Sequence, residues 1–259
     1  MQGLTFKNNS YKTEDRHISF IARLLPSVVL YFKSFIIVAK IGWVAKKSRF
    51  NDKEMHDSSL SVFRALESVG VQIEITGLEN LKKPEGPCVI VANHMSTFET
   101  LALASIIVPF KKMTFVIKEE IASYPLFKHA MVAAKTITVG RKNPREDFRA
   151  VMEGGVERLK MGISIVIFPQ TTRYIDFEPQ KFNTIGVKLA KKANVPIVPL
   201  ALKTDAWQVG KYLKDFGKID ISKKVYFAFG EPLWIKGSGS EEHQKIIEFI
   251  QNKLRQWEK

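Results

Sequence analysis

Hydrophobic and polar positions along this chain of 259 residues fall into two alternating patterns. Short, β-branched apolar runs are separated by longer stretches with apolar residues at helical spacing, and that alternation predicts an α/β fold, a mixed and largely parallel sheet flanked by helices. Residues 88–92, Cys-Val-Ile-Val-Ala, are bounded upstream by Pro84 and Gly86 and read as a strand buried on both faces. Residues 71–75, 113–117, 136–139, 164–168, 196–202 and 225–229 are the other predicted strands. Helices are predicted over 51–69, 96–108, 147–160 and 183–192, the third despite its Gly154-Gly155 pair. The tail over 241–257 places Ile246, Ile247, Ile250, Leu254 and Trp257 on one side, a packing face.

The amino-terminal fifth has a different pattern. Residues 26–47 predict a helix about 33 Å long, in which Lys33, Lys40 and Lys47 recur every seven residues with Ser27 and Ser34 alongside, as one narrow polar stripe. The other faces carry Val28, Val29, Leu30, Phe32, Phe35, Ile36, Ile37, Val38, Ile41 and Val44, more apolar surface than a water-facing helix shows. A bilayer span wants about 20 residues with few charges, and Lys33 and Lys40 argue against one. A helix lying in the membrane interface lets Lys33, Lys40 and Lys47 reach anionic headgroups, at about 1 kcal/mol each, while Trp43 and Tyr31 sit at the boundary. Residues 1–70 are therefore expected to form a membrane-associating helical hairpin, monotopic rather than spanning, and residues 71–259 the α/β domain. The preceding polar stretch is long and no small-residue cleavage site follows, so no signal peptide is expected.

Charge agrees with a membrane partner. The formal net charge is +14, and residues 1–50 hold nine Lys or Arg against two acids, so about half the excess coincides with the most apolar helix. No nucleic-acid recognition module is legible, and nucleic acid is not an expected partner. One cysteine excludes an intramolecular disulfide framework. No zinc-like spacing, phosphate loop or dinucleotide fingerprint is present, so neither a metal nor a cofactor is expected.

Candidate chemistry begins just after the strand at 88–92, in Asn93-His-Met-Ser-Thr-Phe-Glu-Thr100. Five positions along one helix rotate a side chain by about 140°, so His94 and Glu99 meet only if His94 lies in the entering turn and Glu99 in the first helical turn. Asn93 and Ser96 suit such a turn. A second run, Gly162-Ile-Ser-Ile-Val-Ile-Phe-Pro-Gln-Thr-Thr-Arg173, is a buried strand stopped by Pro169 that delivers Gln170, Thr171, Thr172 and Arg173 to its carboxyl end. Ligands of open α/β sheets bind at that edge. The other histidines, His17, His56, His129 and His243, lack this context and read as surface or packing residues.

On these residues the chain resembles the glycerolipid acyltransferase family, the lysophosphatidic acid acyltransferases and their relatives. Their first motif reads Asn-His-x-x-x-x-Asp and their third Phe-Pro-Glu-Gly-Thr-Arg. Thr138-Val-Gly-Arg141 matches the Arg-bearing second motif, and Val195-Pro-Ile-Val-Pro-Leu200 the fourth. Lys118-Glu-Glu-Ile121, followed by Pro125, matches a Lys-bearing segment between the first two. The resemblance covers residues 73–232 and implies the glycerol-phosphate acyltransferase fold. It further implies transfer of a fatty acyl group from acyl-CoA or acyl-ACP, a co-substrate rather than a cofactor, to the hydroxyl of a lysophospholipid, 1-acyl-glycerol-3-phosphate giving phosphatidic acid. Acyl carrier protein is then a possible partner, and the cytoplasmic face of a membrane, the inner membrane in a bacterium, the implied location.

In such a reaction an imidazole, with an ordinary pKa of about 6.5, is a suitable base for the acceptor hydroxyl. His94 takes that role and Glu99 steadies it. The acceptor supplies the nucleophile, and Cys88 is a small core residue. Guanidinium groups fit a phosphate through paired hydrogen bonds, which makes Arg173 and Arg141 the candidate acceptor ligands; the resemblance adds Lys118, for which a solvated lysine beside Glu119 and Glu120 is the competing reading. Two positions depart from the pattern. Glu99 replaces Asp, which keeps the charge, and Gln170-Thr171 replaces Glu-Gly, which removes a carboxylate and a flexible residue and puts acceptor identity in question. An acyltransferase for another lysolipid, a catalytically degenerate membrane lipid-binding protein, and a hydrolase in which His94 activates water are the remaining readings.

Overall fold

Strands whose every residue is apolar must be covered on both faces, and the architecture follows from that requirement. The structure is a computed structural model that describes residues 3–124 and 128–258; Pro125 lies outside the described residues. In chain order the elements are β1 (Tyr11–Lys12), α1 (Phe20–Leu24), α2 (Pro26–Lys46), α3 (Asp52–Glu67), β2 (Ile73–Thr76), α4 (Glu79–Lys82), β3 (Val89–Ala92), α5 (Thr97–Ile107), β4 (Met113–Lys118), α6 (Glu119–Ser123), α7 (Lys128–Ala133), β5 (Ile137–Val139), α8 (Pro144–Lys160), β6 (Ser164–Ile167), α9 (Ile185–Ala193), β7 (Ile197–Lys203), β8 (Val225–Phe229) and α10 (Ser240–Trp257).

The strands form one sheet in the order β1-β2-β8-β7-β3-β6-β4-β5. Pairing is antiparallel at β1–β2 and β7–β8 and parallel elsewhere, as the expected mixed, largely parallel sheet requires. Val91 of β3 stands opposite Ile167 of β6 and Pro199 of β7, so these strands end at one common edge. On one face α3 and α5 pack Leu60, Phe63, Leu66, Phe98 and Leu103 against Ile90, Val198 and Phe227. On the other, α8, α9 and α10 cover Val89, Val91, Ile165, Ile167 and Ile197 with Leu159, Leu189, Ile246 and Ile250. Gly155 permits the close approach of α8 and α9, since a Cβ there would stand 2.7 Å from the Leu189 methyls.

The amino-terminal segment is built into this core. Tyr11 pairs with Ile75 at the sheet edge, and Leu4, Tyr11 and Leu30 belong to the same apolar cluster as the strands. Glu67, fully buried at the end of α3, accepts from Tyr11 Oη at 2.6 Å, Thr13 Oγ1 at 2.7 Å and Arg64 at 2.8 Å, with Arg16 at 3.2 Å. Burial and this carboxylate push the Tyr11 phenol up to about 12. Thus residues before 70 share a core with those after it, and α3 packs against α5 rather than outward.

The outward surface comes from α1 and α2. Phe20, Ile21, Leu24, Val28, Phe32, Phe35, Ile36 and Trp43 are exposed, and α2 is long and apolar enough to cross a membrane by length and composition. The single polar stripe read from the seven-residue spacing is split. Lys33 turns inward and donates to Ser68 Oγ at 2.6 Å, Ser27 Oγ accepts from Ile219 N at 3.0 Å, and Ser34 is buried, whereas Lys40 and Lys47 stay exposed. The reason is where α2 touches the body: its first half lies on Ser68 and on the segment around Gly217 and Ile219, so positions on nearly the same line face inward there, while Lys40 and Lys47 lie farther along the helix.

Candidate active site

The site is assembled where β3 ends. Asn93 clamps that end to β7, donating through Nδ2 to Leu202 O at 2.8 Å and accepting from Leu202 N at 2.9 Å. The chain then turns through His94 into α5, whose amino terminus is capped by Ser96, with Glu99 reaching back in a capping box. This places Glu99 beside the imidazole in the way the spacing required. Glu99 Oε1 accepts from His94 Nδ1 at 2.8 Å, Met95 N at 2.6 Å and Ser96 N at 2.7 Å. Oε2 accepts from Ser96 Oγ at 2.7 Å and Thr204 Oγ1 at 2.6 Å. The carboxylate is fully buried. Burial pushes its pKa up, but His94, Thr204 and Ser96 outweigh that and hold it below its ordinary value.

A buried carboxylate with five donors fixes the imidazole. Because Oε1 only accepts, Nδ1 carries the hydrogen and Nε2 keeps a lone pair for a substrate hydroxyl. The ring stacks on Phe168 at 4.3 Å between centroids, 20° from parallel. The turn after β6 holds the same residue through its backbone: Gln170 Oε1 accepts from His94 N at 2.9 Å, and Tyr174 N donates to His94 O at 3.0 Å. Gln170 is buried, and its Nε2 has no hydrogen-bond partner among the described residues. Thr171 follows at φ +60°, the left-handed conformation that a glycine adopts freely and a β-branched residue does not. Its amide donates to Phe168 O at 3.1 Å and that of Thr172 to Gln170 O at 2.7 Å, closing the turn.

Arg173 completes the cluster. It donates to Thr97 Oγ1, in the first turn of α5, and to Asp215 Oδ1 at 2.6 Å. Burial pushes the Asp215 carboxyl up, yet hydrogen bonds from Arg173 and Thr97 bring it below its ordinary value. Lys118 and Arg141 stand on the same sheet edge, at the ends of β4 and just past β5. Given the strand order and a spacing of about 4.8 Å, Arg141 lies roughly 14 Å along the edge from the end of β3. Lys118 Nζ is 4.0 Å from Glu120, the pairing its competing reading described. His94, Glu99, Gln170 and Arg173 are thus gathered directly, Thr171 and Thr172 shape the turn between them, and Lys118 and Arg141 extend the edge.

Cys88 is buried in the sheet, where burial pushes its thiol up to about 11, an inert core position. Phe168, Thr204 and Asp215 are the functional neighbours that sequence reasoning missed. Thr204 and Asp215 lie more than a hundred residues along the chain from α5; Thr204 is marked only by its polarity just beyond a buried strand, and Asp215, on the following loop, by nothing local.

A sequence model of the Acyltransferase family matches residues 72–203. A 1-acyl-sn-glycerol-3-phosphate acyltransferase of Pseudomonas aeruginosa is 32% identical over 170 residues, 66% of this chain and 62% of the relative, so this chain spans less than two thirds of that relative's length. A Mycoplasma pneumoniae protein named "Probable 1-acyl-sn-glycerol-3-phosphate acyltransferase" is 32% identical over 206 residues, covering 74% of this chain and 75% of its own. Among solved structures, the 1-acyl-sn-glycerophosphate (LPA) acyltransferase PlsC from Thermotoga maritima superposes with a TM-score of 0.69 at 21% identity, over 91% of this chain and 96% of the other, a likeness of fold.

Proposed function

The chain belongs to the Acyltransferase family, and from that membership and the site geometry we propose that it moves a fatty acyl group from an acyl thioester to the free hydroxyl of 1-acyl-glycerol-3-phosphate, giving phosphatidic acid. The observation that carries this reading is the His94–Glu99 pair, an imidazole held at 2.8 Å by a fully buried carboxylate, one turn from Arg173. His94 Nε2 takes the hydroxyl proton as the oxygen attacks the thioester carbonyl carbon. The C–S bond then breaks, and the imidazolium returns the proton to the leaving thiolate. Glu99 stabilises the imidazolium without being protonated. No enzyme nucleophile is needed, which agrees with the inert Cys88. Arg173 receives the acceptor phosphate, with Lys118 and Arg141 adding positive charge along the edge. Membrane association is monotopic in this reading, through the exposed faces of α1 and α2 with Lys40, Trp43 and Lys47; Lys33 serves the packing of α2 on the segment after α3.

The test is acyl transfer by the full chain, with acyl-CoA and acyl-ACP as alternative donors and lysophosphatidate, lysophosphatidylcholine and monoacylglycerol as acceptors, following free thiol and lipid product together. Lysophosphatidate is expected to be the preferred acceptor. His94→Ala is expected to lower turnover by about 100-fold or more. Thiol release without lipid product would instead make the protein a thioester hydrolase, and transfer only to monoacylglycerol would remove Arg173 from phosphate binding.

A further inference from the structure

Beyond Thr204, the segment joining β7 to β8 touches neither His94 nor Glu99, yet its tip carries three strongly exposed apolar side chains. Tyr212, Leu213 and Phe216 are 89%, 67% and 61% exposed, and the exposed Lys211, Lys214 and Lys218 are interleaved with them. Lys211 Nζ lies 5.6 Å from the Tyr212 ring centre. This is a built loop. Gly217 passes so close to Gln208 O that a Cβ there would stand 1.9 Å from it, and Trp207 Nε1 donates to Asp215 O at 3.2 Å.

Two connections give the loop its meaning. Toward the amino terminus it is fastened to α2: Tyr31 Oη donates to Gly217 O at 2.5 Å, the Tyr31 and Phe216 rings are 5.2 Å apart, and Ile219 N donates to Ser27 Oγ. The exposed tip therefore continues the apolar outward face made by Val28, Phe32, Phe35 and Ile36. Toward the site, Asp215 lies between Leu213 and Phe216 in sequence and pairs with Arg173.

We propose that residues 211–216 form a second bilayer contact beside α2, with an anionic lipid surface as the partner. Tyr212, Leu213 and Phe216 enter the interface, and Lys211 and Lys214, with the exposed Lys218 just beyond, meet headgroup phosphates. A tyrosine settles at that depth because its ring is apolar and its hydroxyl wet, and each lysine is drawn to an anionic surface. The consequence is positional. With the tip in the interface, Asp215 and the Arg173 it holds lie at headgroup level, the depth at which the phosphate of a membrane-embedded lysolipid resides. The inference rests on the reading that the protein acts at a membrane.

Cys88 is the only cysteine and is buried, so a thiol introduced on the surface takes a label selectively. The experiment uses the full chain with a nitrobenzoxadiazole label at Leu213→Cys on the loop, Phe35→Cys on α2, or Asn252→Cys on α10, which covers the opposite sheet face. Each is mixed with vesicles of phosphatidylglycerol and phosphatidylcholine in equal parts, or of phosphatidylcholine alone. Positions 213 and 35 are expected to shift to the blue and brighten several-fold on the mixed vesicles, 213 less on phosphatidylcholine, and 252 to stay unchanged. A shift at 35 without one at 213 overturns the loop contact and leaves the α2 reading standing. No shift at either overturns both. An equal response at 213 on the two vesicle types overturns the anionic preference.

Discussion

Replacing Glu99 with Gln separates what the carboxylate does for chemistry from what it does for folding. Gln is accepted at this position of a capping box. Its oxygen in place of Oε1 still accepts from His94 Nδ1, Met95 N and Ser96 N, and its amide nitrogen in place of Oε2 meets the hydroxyls of Ser96 and Thr204, which rotate to accept. The tautomer and the turn survive; the charge does not. At an effective dielectric near 20, a carboxylate about 4 Å from an imidazolium is worth about 4 kcal/mol, which corresponds to roughly a thousandfold in turnover. Glu99→Gln is therefore expected to lower kcat by about three decades while changing stability by no more than about 2 kcal/mol. Glu99→Asp, which keeps the charge on a shorter arm, should retain more activity than Glu99→Gln. Stability also changes with pH. The folded pKa of Glu99 lies below its ordinary value of 4.5, so its contribution is present above 4.5 and lost as pH falls through the folded value. Glu99→Gln removes that acid limb and flattens the urea-unfolding stability curve below 4.5. Turnover by thiol release and stability by urea titration are the assays. A Glu99→Gln protein within tenfold of wild-type turnover would refute the dyad.

Glu67→Ala should cost about 3 kcal/mol, the low end for an unpaired buried charge because Arg64 and Arg16 retain some solvent; a loss under 1 kcal/mol in urea unfolding would show that the amino-terminal strand is only loosely attached. Because Tyr11 is raised to about 12, its contribution is complete below 10 and lost as pH rises through about 12, and Tyr11→Phe should reduce the alkaline slope by that share, leaving the share of Tyr31, which burial also pushes up to about 12. Thr171→Gly relieves a left-handed β-branched residue, a strain of about 1–2 kcal/mol, against the flexibility glycine adds to the unfolded chain, about 0.4–1 kcal/mol; a net gain near 1 kcal/mol is expected, and a loss would mean the turn is unstrained. Asp215 pairs with Arg173, the proposed phosphate ligand, so in that reading Asp215→Asn should lower the acceptor KM several-fold with the donor KM unchanged. A raised acceptor KM would make Asp215 a positioning residue for Arg173 instead.

Much of the sheet was legible because its strands are buried on both faces. Continuous runs such as Val89-Ile-Val-Ala92 have few other places to go, and seven of the eight strands among the described residues were read to within two residues. The His94–Glu99 pair was legible because one local turn decides whether the two residues meet. What escaped had no local signature. The strand Tyr11–Lys12 is two residues long and is held by Glu67, more than fifty positions away. The apolar face of α3 announced burial without saying against what, and it packs on α5 as well as on α2, so one helix joins the amino-terminal pair to the sheet. Lys33 shows the same limit from the polar side, since periodicity along a helix identifies a stripe but not the direction in which it points.

The third motif places a neutral Gln170 where the motif it resembles reads Glu. Its Oε1 accepts from His94 N, and a carboxylate oxygen accepts equally well, so the bond that steadies the base does not require the exchange. The difference lies at the other end of the side chain. A buried Glu would bring a second carboxylate beside a base already paired with Glu99, and with no donor for its outer oxygen it would pay desolvation in full. Gln170 presents Nε2 there instead, a buried donor without a partner among the described residues, which costs about 1–3 kcal/mol unless something accepts from it. In the proposed reaction, an acceptor lipid bearing oxygen atoms would supply that missing group. Gln170→Glu together with Thr171→Gly therefore exchanges a donor for an acceptor while keeping the turn and the His94 tether. The variant should change the ratio of transfer to lysophosphatidate over lysophosphatidylcholine at matched donor concentration. An unchanged ratio would confine Gln170 to holding His94 and leave Arg173, with its partner Asp215, as the reader of the acceptor.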